Sequence, residues 1–472
     1  MIQLALCLCL PFAFHSTLSC ADADESAIIF RDHSVLVDMN MRGMNLSGAS
    51  LNHSEMQGSD LSKTDLRRSH LNRASLFDSL LAGANLKEIT MVYADLHKSN
   101  LSYADLSYAN MPVCNLLAVN LTDANLTGAF LAGSYLTGSN LNGANMTESF
   151  LAGSYLSGSN LNDADLSNCF MDQSFADHST MIRTKLNRAS LGGSNISDTN
   201  LSQASLIRAF MARSILRNSI LIGANLSGAN LVGVSLVNAR VSNADLTDTD
   251  LSESRLSGAD LSGSRMVKSR LSFANLTGAN LSYADLSGSI LTASYLVGCN
   301  FFRANLAGTN LENSLMHNAR LSEARLTGST IARAHLADSD LSFCNLERTD
   351  FTGALLSSCN LTRVNLQGAR LLSADLSLAV LKNSDLSGAN LVGSRMNWAN
   401  LAGSTLKRCQ FSRAELFGAD LSHCDFSDSD FTRAYLPRAK LQGSNLRNAK
   451  FDNADLSNTN MSESDLAGIQ FV

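Results

Sequence analysis

The chain has 472 residues, with 36 Lys and Arg against 42 Asp and Glu and a formal net charge of −6 at pH 7. So small a charge over this length gives no single-sign field of the kind that draws a protein to nucleic acid. No apolar stretch is long enough to cross a bilayer as a helix, so no membrane span is expected.

Residues 1–23 differ from the rest of the chain. Leu4 to Phe14 is an apolar run broken only by Pro11, and Ala21-Asp22-Ala23 has the small-x-small form of a processing site. The segment therefore reads as an export leader, which would make the protein exported or secreted rather than cytoplasmic. Its start lacks Lys and Arg, and two other readings stay open: a start placed too early, or an apolar cap packed on the first repeats. Residues 24–40 hold two further apolar pieces, Ala27 to Phe30 and Val35 to Val37, assigned here to an amino-terminal cap.

From Met41 a five-residue frame runs without a slip to Phe471. Every fifth residue, the centre, is Leu, Met, Phe, Ile or Val except at Ala176. Two residues before each centre the chain carries Ala, Ser, Thr, Cys or Val almost throughout, and neither position admits a charged residue. Both therefore face a dry interior, since an unpaired buried charge costs several kcal/mol or more. The other three positions are polar and face water. Gly concentrates at the second residue after the centre, and Pro112 and Pro437 at the first. That is the residue choice of a type II turn.

Neither a helix, with about 3.6 residues per turn, nor a flat strand, whose odd repeat would flip successive centres, can bury this pattern. A chain that takes a short extended step and turns a corner can. Residues 126–165 repeat in detail at twenty, with Phe130 returning as Phe150, Tyr135 as Tyr155 and Asn140 as Asn160, so four corners close a coil. Coils stacked at ~4.8 Å give about twenty-one coils and a rod roughly 100 Å long. The weakest place is Asp172 to Lys185, where Ala176 replaces a large centre; a bulge is expected there, with Phe175 turned inward.

The units Ala124-Asn125-Leu126-Thr127-Gly128 and Ala104-Asp105-Leu106-Ser107-Tyr108 resemble the A(D/N)LXX consensus of the pentapeptide-repeat family. The resemblance covers residues 41–472 and implies an all-β fold, a right-handed quadrilateral parallel β-helix (solenoid). The frequent Phe centres after residue 400 resemble those of gyrase-inhibiting members that dimerise at the carboxy-terminal end, which implies an end-to-end homodimer.

The seven Cys of the repeat region all occupy the small inward position and read as packing residues. Cys344 and Cys424 share a column but stand four coils apart, about 19 Å at strand spacing and beyond disulfide reach. Every His beyond residue 40 faces outward, so no Cys–His dyad and no zinc site forms. The acidic clusters Asp245, Asp248, Asp250 and Asp425, Asp428, Asp430 read as solvated. No catalytic, cofactor-binding or metal residues are assigned, and no cofactor. Two surfaces stand out. Phe130, Phe150 and Phe170 should stack on one face and Tyr135, Tyr155 and Phe175 on the next, either as a structural ladder or as a partner-binding patch. Asn100, Asn120, Asn140 and Asn160 should form an amide ladder. The function expected is a non-enzymatic scaffold that binds another macromolecule, a protein partner, through its flat faces. Two alternatives come from the resemblance: a DNA mimic that binds a topoisomerase, and a secreted bacterial effector acting in a host cell. Fully matched mimicry would need about one negative charge per 1.7 Å, far above −6.

Overall fold

The structure, a computed structural model, describes residues 31–471, which fall into two compact units, one ending at Asn230 and the other beginning at Leu231. Residues 1–23, where a leader was expected, residues 24–30 of the expected cap, and Val472 lie outside the described residues. Within each unit the same five-residue step recurs, and no helix occurs among the described residues.

One step shows why. Leu126 is fully buried, Thr127 and Gly128 turn the corner, Ala129 is buried beside the centre, and Phe130 pairs in parallel with Phe150 one coil on. The Ala129 N–H closes the turn on the Leu126 carbonyl at 3.0 Å. Leu126 and Gly128 donate to the next coil, at 2.6 and 2.9 Å, and Phe130 donates to the previous one at 2.8 Å. The fifth N–H, on Thr127, goes to Asn125 Oδ1 at 3.2 Å. All five backbone donors of the unit are thus satisfied with pairings only one residue long, as burial of a polar backbone requires. This explains the preference for Asn and Asp before the centre: the side chain caps the corner that comes after it.

Successive steps pair Val35 with Glu55, Asn40 with Asp60, Asn45 with Asp65 and Ser50 with His70, all parallel, so each coil of twenty residues has four sides. The second corner residue has positive φ whether it is Gly or not: 64° at Gly128, 57° at Tyr108, 60° at Trp398. Stacking between coils imposes that conformation, and glycine only lowers its cost.

Inward hydroxyls perform a task that the residue pattern does not disclose. Ser404 Oγ accepts from the Ser384 N–H at 3.0 Å and donates to the Leu381 carbonyl at 2.7 Å, so it sits inside the turn of the preceding coil. Cysteines take the same place, with Sγ of Cys299, Cys359 and Cys409 each 3.0 Å from a carbonyl twenty-three residues back.

Two expectations are corrected. Residues 31–40 already follow the repeat: Leu36 is a buried centre and Val35 pairs with Glu55. Nor is there a bulge at Ala176. Its N–H donates to the Asn195 carbonyl at 2.8 Å and Thr199 Oγ1 reaches its own carbonyl at 2.9 Å, so the backbone register holds despite the small side chain. Phe175 points outward, its ring 5.2 Å from that of Tyr155.

Candidate docking surface

In the first unit the residues that precede the centres form columns on four faces. Two adjacent columns carry rings where other coils carry Asn or Asp. Phe130, Phe150 and Phe170 succeed one another with centroids 5.9 and 4.8 Å apart; Tyr135, Tyr155 and Phe175 do the same on the next face at 5.0 and 5.2 Å. The six side chains remain 38–45% exposed. Between the columns runs a corner of small residues, Ala132, Gly133, Ala152 and Gly153. A Cβ built on Gly153 meets nothing within 4 Å, so that corner is open. Beyond the ladder the ring of Phe210 leans over the continuation of the same corner, 3.5 Å from the Cβ position of Gly192.

Replacing Asn and Asp by rings has a backbone consequence. The N–H groups of Ala132, Ala152 and Asp172 have no hydrogen-bond partner among the described residues. At the next corner in the column the Gly192 N–H is taken by Asp172 Oδ1 at 2.8 Å. The ladder therefore gives up corner caps worth roughly 1 kcal/mol each. Ring stacking returns a similar ~0.5–1.5 kcal/mol per pair, which leaves the patch near neutral for stability.

The Asn ladder on the adjoining face is hydrogen-bonded from coil to coil. Asn120 Nδ2 donates to Asn100 Oδ1 at 3.1 Å and Asn160 to Asn140 at 3.0 Å, while Asn120 Oδ1 also caps the Thr122 N–H at 3.2 Å.

The inward thiols are far from reactive. Burial pushes Cys114, Cys299, Cys344, Cys359, Cys409 and Cys424 up to about 12, and Cys169 higher still. A thiol held protonated at neutral pH is a poor nucleophile and a poor metal ligand. Surface carboxylates shift the other way. Asp163, gripped by Arg183 at 2.7 Å through both guanidinium contacts, lies below the usual range chiefly because of that hydrogen bond. Asp425 is also lowered, burial being outweighed by hydrogen bonds from Ser427 and Lys407. Among the described residues no group of three or more His, Cys, Asp or Glu is placed to hold a metal ion, and no helix is long and apolar enough to cross a membrane.

The second unit holds a ring cluster that the residue pattern did not single out. Trp398 packs edge-on against Phe417 at 5.3 Å, Phe417 stacks on Tyr435 at 6.3 Å, and the Arg438 guanidinium lies 5.6 Å from the Phe417 ring. Two signals were available: Trp398 is the single Trp of the chain, and it stands twenty residues before Gly418, the glycine its ring covers. A shallow depression of about 450 Å³, lined in part by Arg413, Arg433 and Asp452, lies in the same unit.

The pentapeptide-repeat family model matches residues 33–68, 79–116, 114–153, 134–173, 184–221, 194–233, 221–253, 254–292, 294–331, 319–358, 334–371 and 359–397, and a second model, of a pentapeptide repeat region, matches 404–472. The chain belongs to the pentapeptide-repeat family. A comparison of this pentapeptide-repeat chain with curated proteins found no match. Among solved structures it is similar to HetL, a pentapeptide repeat protein involved in heterocyst differentiation regulation from the cyanobacterium Nostoc sp. strain PCC 7120, at 28% identity over 51% of this chain and 88% of that one, TM-score 0.22. It is similar to QnrB1, a plasmid-mediated fluoroquinolone resistance protein, at 16% identity over 38% and 91%, TM-score 0.26. The pentapeptide repeat protein Rfr23 from the cyanobacterium Cyanothece 51142 matches at 23% identity over 24% and 85%, TM-score 0.19.

Proposed function

We propose that this pentapeptide-repeat solenoid is a non-enzymatic scaffold that docks a protein, and that the surface it uses is the pair of faces carrying Phe130, Phe150, Phe170, Tyr135, Tyr155 and Phe175. The observation that carries the reading is the exchange of corner caps for rings. Six half-exposed rings stand where capping Asn or Asp would satisfy the corners at less exposure of apolar surface, and exposed ring clusters of this kind mark partner sites.

Catalysis has little to draw on: the thiols lie inward and protonated, and the histidines outward. DNA mimicry is disfavoured by columns of alternating sign, where Arg270 lies 3.8 Å from Asp250, Arg370 3.9 Å from Asp350 and Arg395 3.1 Å from Asp375. Such pairs cancel the continuous negative field that an imitation of phosphate needs. The Phe centres Phe411, Phe426, Phe431, Phe451 and Phe471 make a homodimer through that part of the repeat a further proposal. Light scattering tests it, a monomer at micromolar concentration counting against it.

The test of the ladder is co-purification from the native cell with the wild-type chain and with a Phe150→Ser, Tyr155→Ser double variant. A protein retained by the first and lost by the second supports the docking surface. Identical retention by both would remove it.

A further inference from the structure

Resting on that reading, we infer that the partner presented to the ring ladder is an extended, arginine- or lysine-bearing polypeptide segment. Three observations point to it, and they concern charge, rings and backbone in turn.

Between Lys98 and Arg183 the sequence holds no Lys or Arg at all, and the whole ladder lies inside that stretch. Acidic side chains stand beside the rings. Glu148 precedes Phe150 by two residues; Asp172, at the corner between Phe170 and Phe175, accepts from Ser190 and Gly192 through Oδ1 only; Asp177, two residues after Phe175, accepts from Ser157 and has His178 Nε2 at 3.8 Å. The patch is thus apolar with a negative rim, the complement of a cationic segment.

Elsewhere the chain places its own arginines over outward rings. Arg73 lies 5.8 Å from the Tyr93 ring, Arg303 5.1 Å from Phe302, Arg363 5.8 Å from Phe343, and Arg438 5.6 Å from Phe417. No Arg or Lys among the described residues lies over a ladder ring: in the coil stacked on Phe170 and Phe175, Arg183 and Lys185 are turned to Asp163 and Asp165. A guanidinium or ammonium over a ring face is attracted by the ring quadrupole; the ladder is where several such uncovered faces stand in two adjacent columns, open to a partner's cation.

The backbone adds a reason for a polypeptide. The N–H groups of Ala132, Ala152 and Asp172, free of partners among the described residues, succeed one another along the corner between the two ring columns. A segment laid along that corner can accept from one or two of them, since its same-edge carbonyls recur every ~6.6 Å against ~4.8 Å between corners. Successive side chains of an extended segment point to opposite sides, one toward the Phe column and the next toward the Tyr column. A carbohydrate could use the rings, the donors and, through its hydroxyls, the carboxylates as well; what it lacks is the positive charge that matches the rim, and the neutral oligosaccharide below tests that difference.

The probe is a fluorescein-labelled peptide of alternating Arg and Gly, about ten residues long, enough at ~3.3 Å per residue to cover the ladder. Binding is measured by anisotropy at low salt and again with added salt. The wild-type chain should bind it, more weakly as salt rises. Affinity should fall at least tenfold for the Phe150→Ser, Tyr155→Ser variant. It should fall as far for a peptide with citrulline in place of Arg, which keeps the shape and removes the charge. A Trp398→Ser variant should bind like wild type. Equal binding by the citrulline peptide, or Arg-peptide binding indifferent to the double variant, would overturn the inference. Ladder-dependent binding of a glutamate peptide or a neutral cello-oligosaccharide in place of the Arg peptide would also overturn it, leaving the docking surface intact but with another partner. Ladder-independent behaviour of every probe would overturn the inference too, while the docking surface itself stands or falls by the co-purification.

Discussion

Phe431 offers the sharpest test of how the interior is packed. Its side chain is fully buried, its ring lies parallel to Phe411 at 4.7 Å and to Phe451 at 4.8 Å, and Phe426 meets it edge-on at 5.3 Å. Truncating a buried Phe to Ala costs about 3–5 kcal/mol, and each well-placed ring pair adds ~0.5–1.5 kcal/mol beyond area. With three ring partners Phe431→Ala belongs at the top of the range, roughly 5 kcal/mol. Phe170 supplies the control, since it also stacks on a Phe one coil away, at 4.8 Å, yet is 45% exposed. Phe170→Ala should lose about 1 kcal/mol, the stacking alone. Urea unfolding measures both. Hydrogen exchange should place the loss in the coils around residues 411–451, because a solenoid coil contacts only its neighbours. A Phe431→Ala loss below about 1 kcal/mol, or a loss equal to that of Phe170→Ala, would refute the reasoning that the centres fill a dry bore.

Individual residues carry further expected outcomes. Ser404→Ala should cost about 1–3 kcal/mol, because it strands the Ser384 N–H and weakens the satisfaction of the Leu381 carbonyl, whereas Ser264→Ala should cost less. Ser264 Oγ only doubles, at 2.7 Å, a bond that its own N–H makes to the Leu261 carbonyl at 3.1 Å; urea midpoints decide. Gly418→Ala should shift tryptophan emission and destabilise by more than Gly153→Ala. A Cβ at 418 would come 2.6 Å from the Trp398 ring, while at 153 only the positive φ resists it, at about 1 kcal/mol. The buried thiols make stability fall at high pH. Their folded values, raised from 9.0 to about 12, leave the stabilisation whole below pH 9 and remove it as pH climbs toward 12, because the unfolded chain ionises first. Each thiol contributes at most about 1.4 kcal/mol per pH unit in that window. Cys409→Ser with Cys424→Ser should flatten the decline; an unchanged slope would count against burial as its cause.

The inward and outward rule was legible in the residues because charge exclusion is a one-dimensional signal: no arginine or carboxylate enters a centre, and Leu46 through Phe451 are buried accordingly. The ring ladder was legible for the same reason, since a period of twenty puts Phe130 beside Phe150. What escaped depends on contacts between coils. Ser404 and Ser264 occupy the same position of the frame, and only the coil beneath decides which one enters a neighbouring turn. Phe175 was expected inward to fill the space beside Ala176, but the corner hydrogen bonds leave it no such freedom, and Tyr155 offers it a ring outside. The Trp398 cluster escaped because its rings come from different frame positions, the corner residues Trp398 and Phe417 and the face residue Tyr435, and meet only once coils twenty residues apart are aligned.

If two of every five side chains face a dry bore and three face water, a lysine scan over one coil will show it. Lysine placed singly at each residue from 146 to 165, with the urea midpoint measured each time, should lower stability steeply at Met146, Leu151, Leu156 and Leu161 and at Ser149, Ser154, Ser159 and Ala164, which are all buried. Losses at the remaining positions should stay small. A flat profile, or one that alternates at every second residue, would contradict the account.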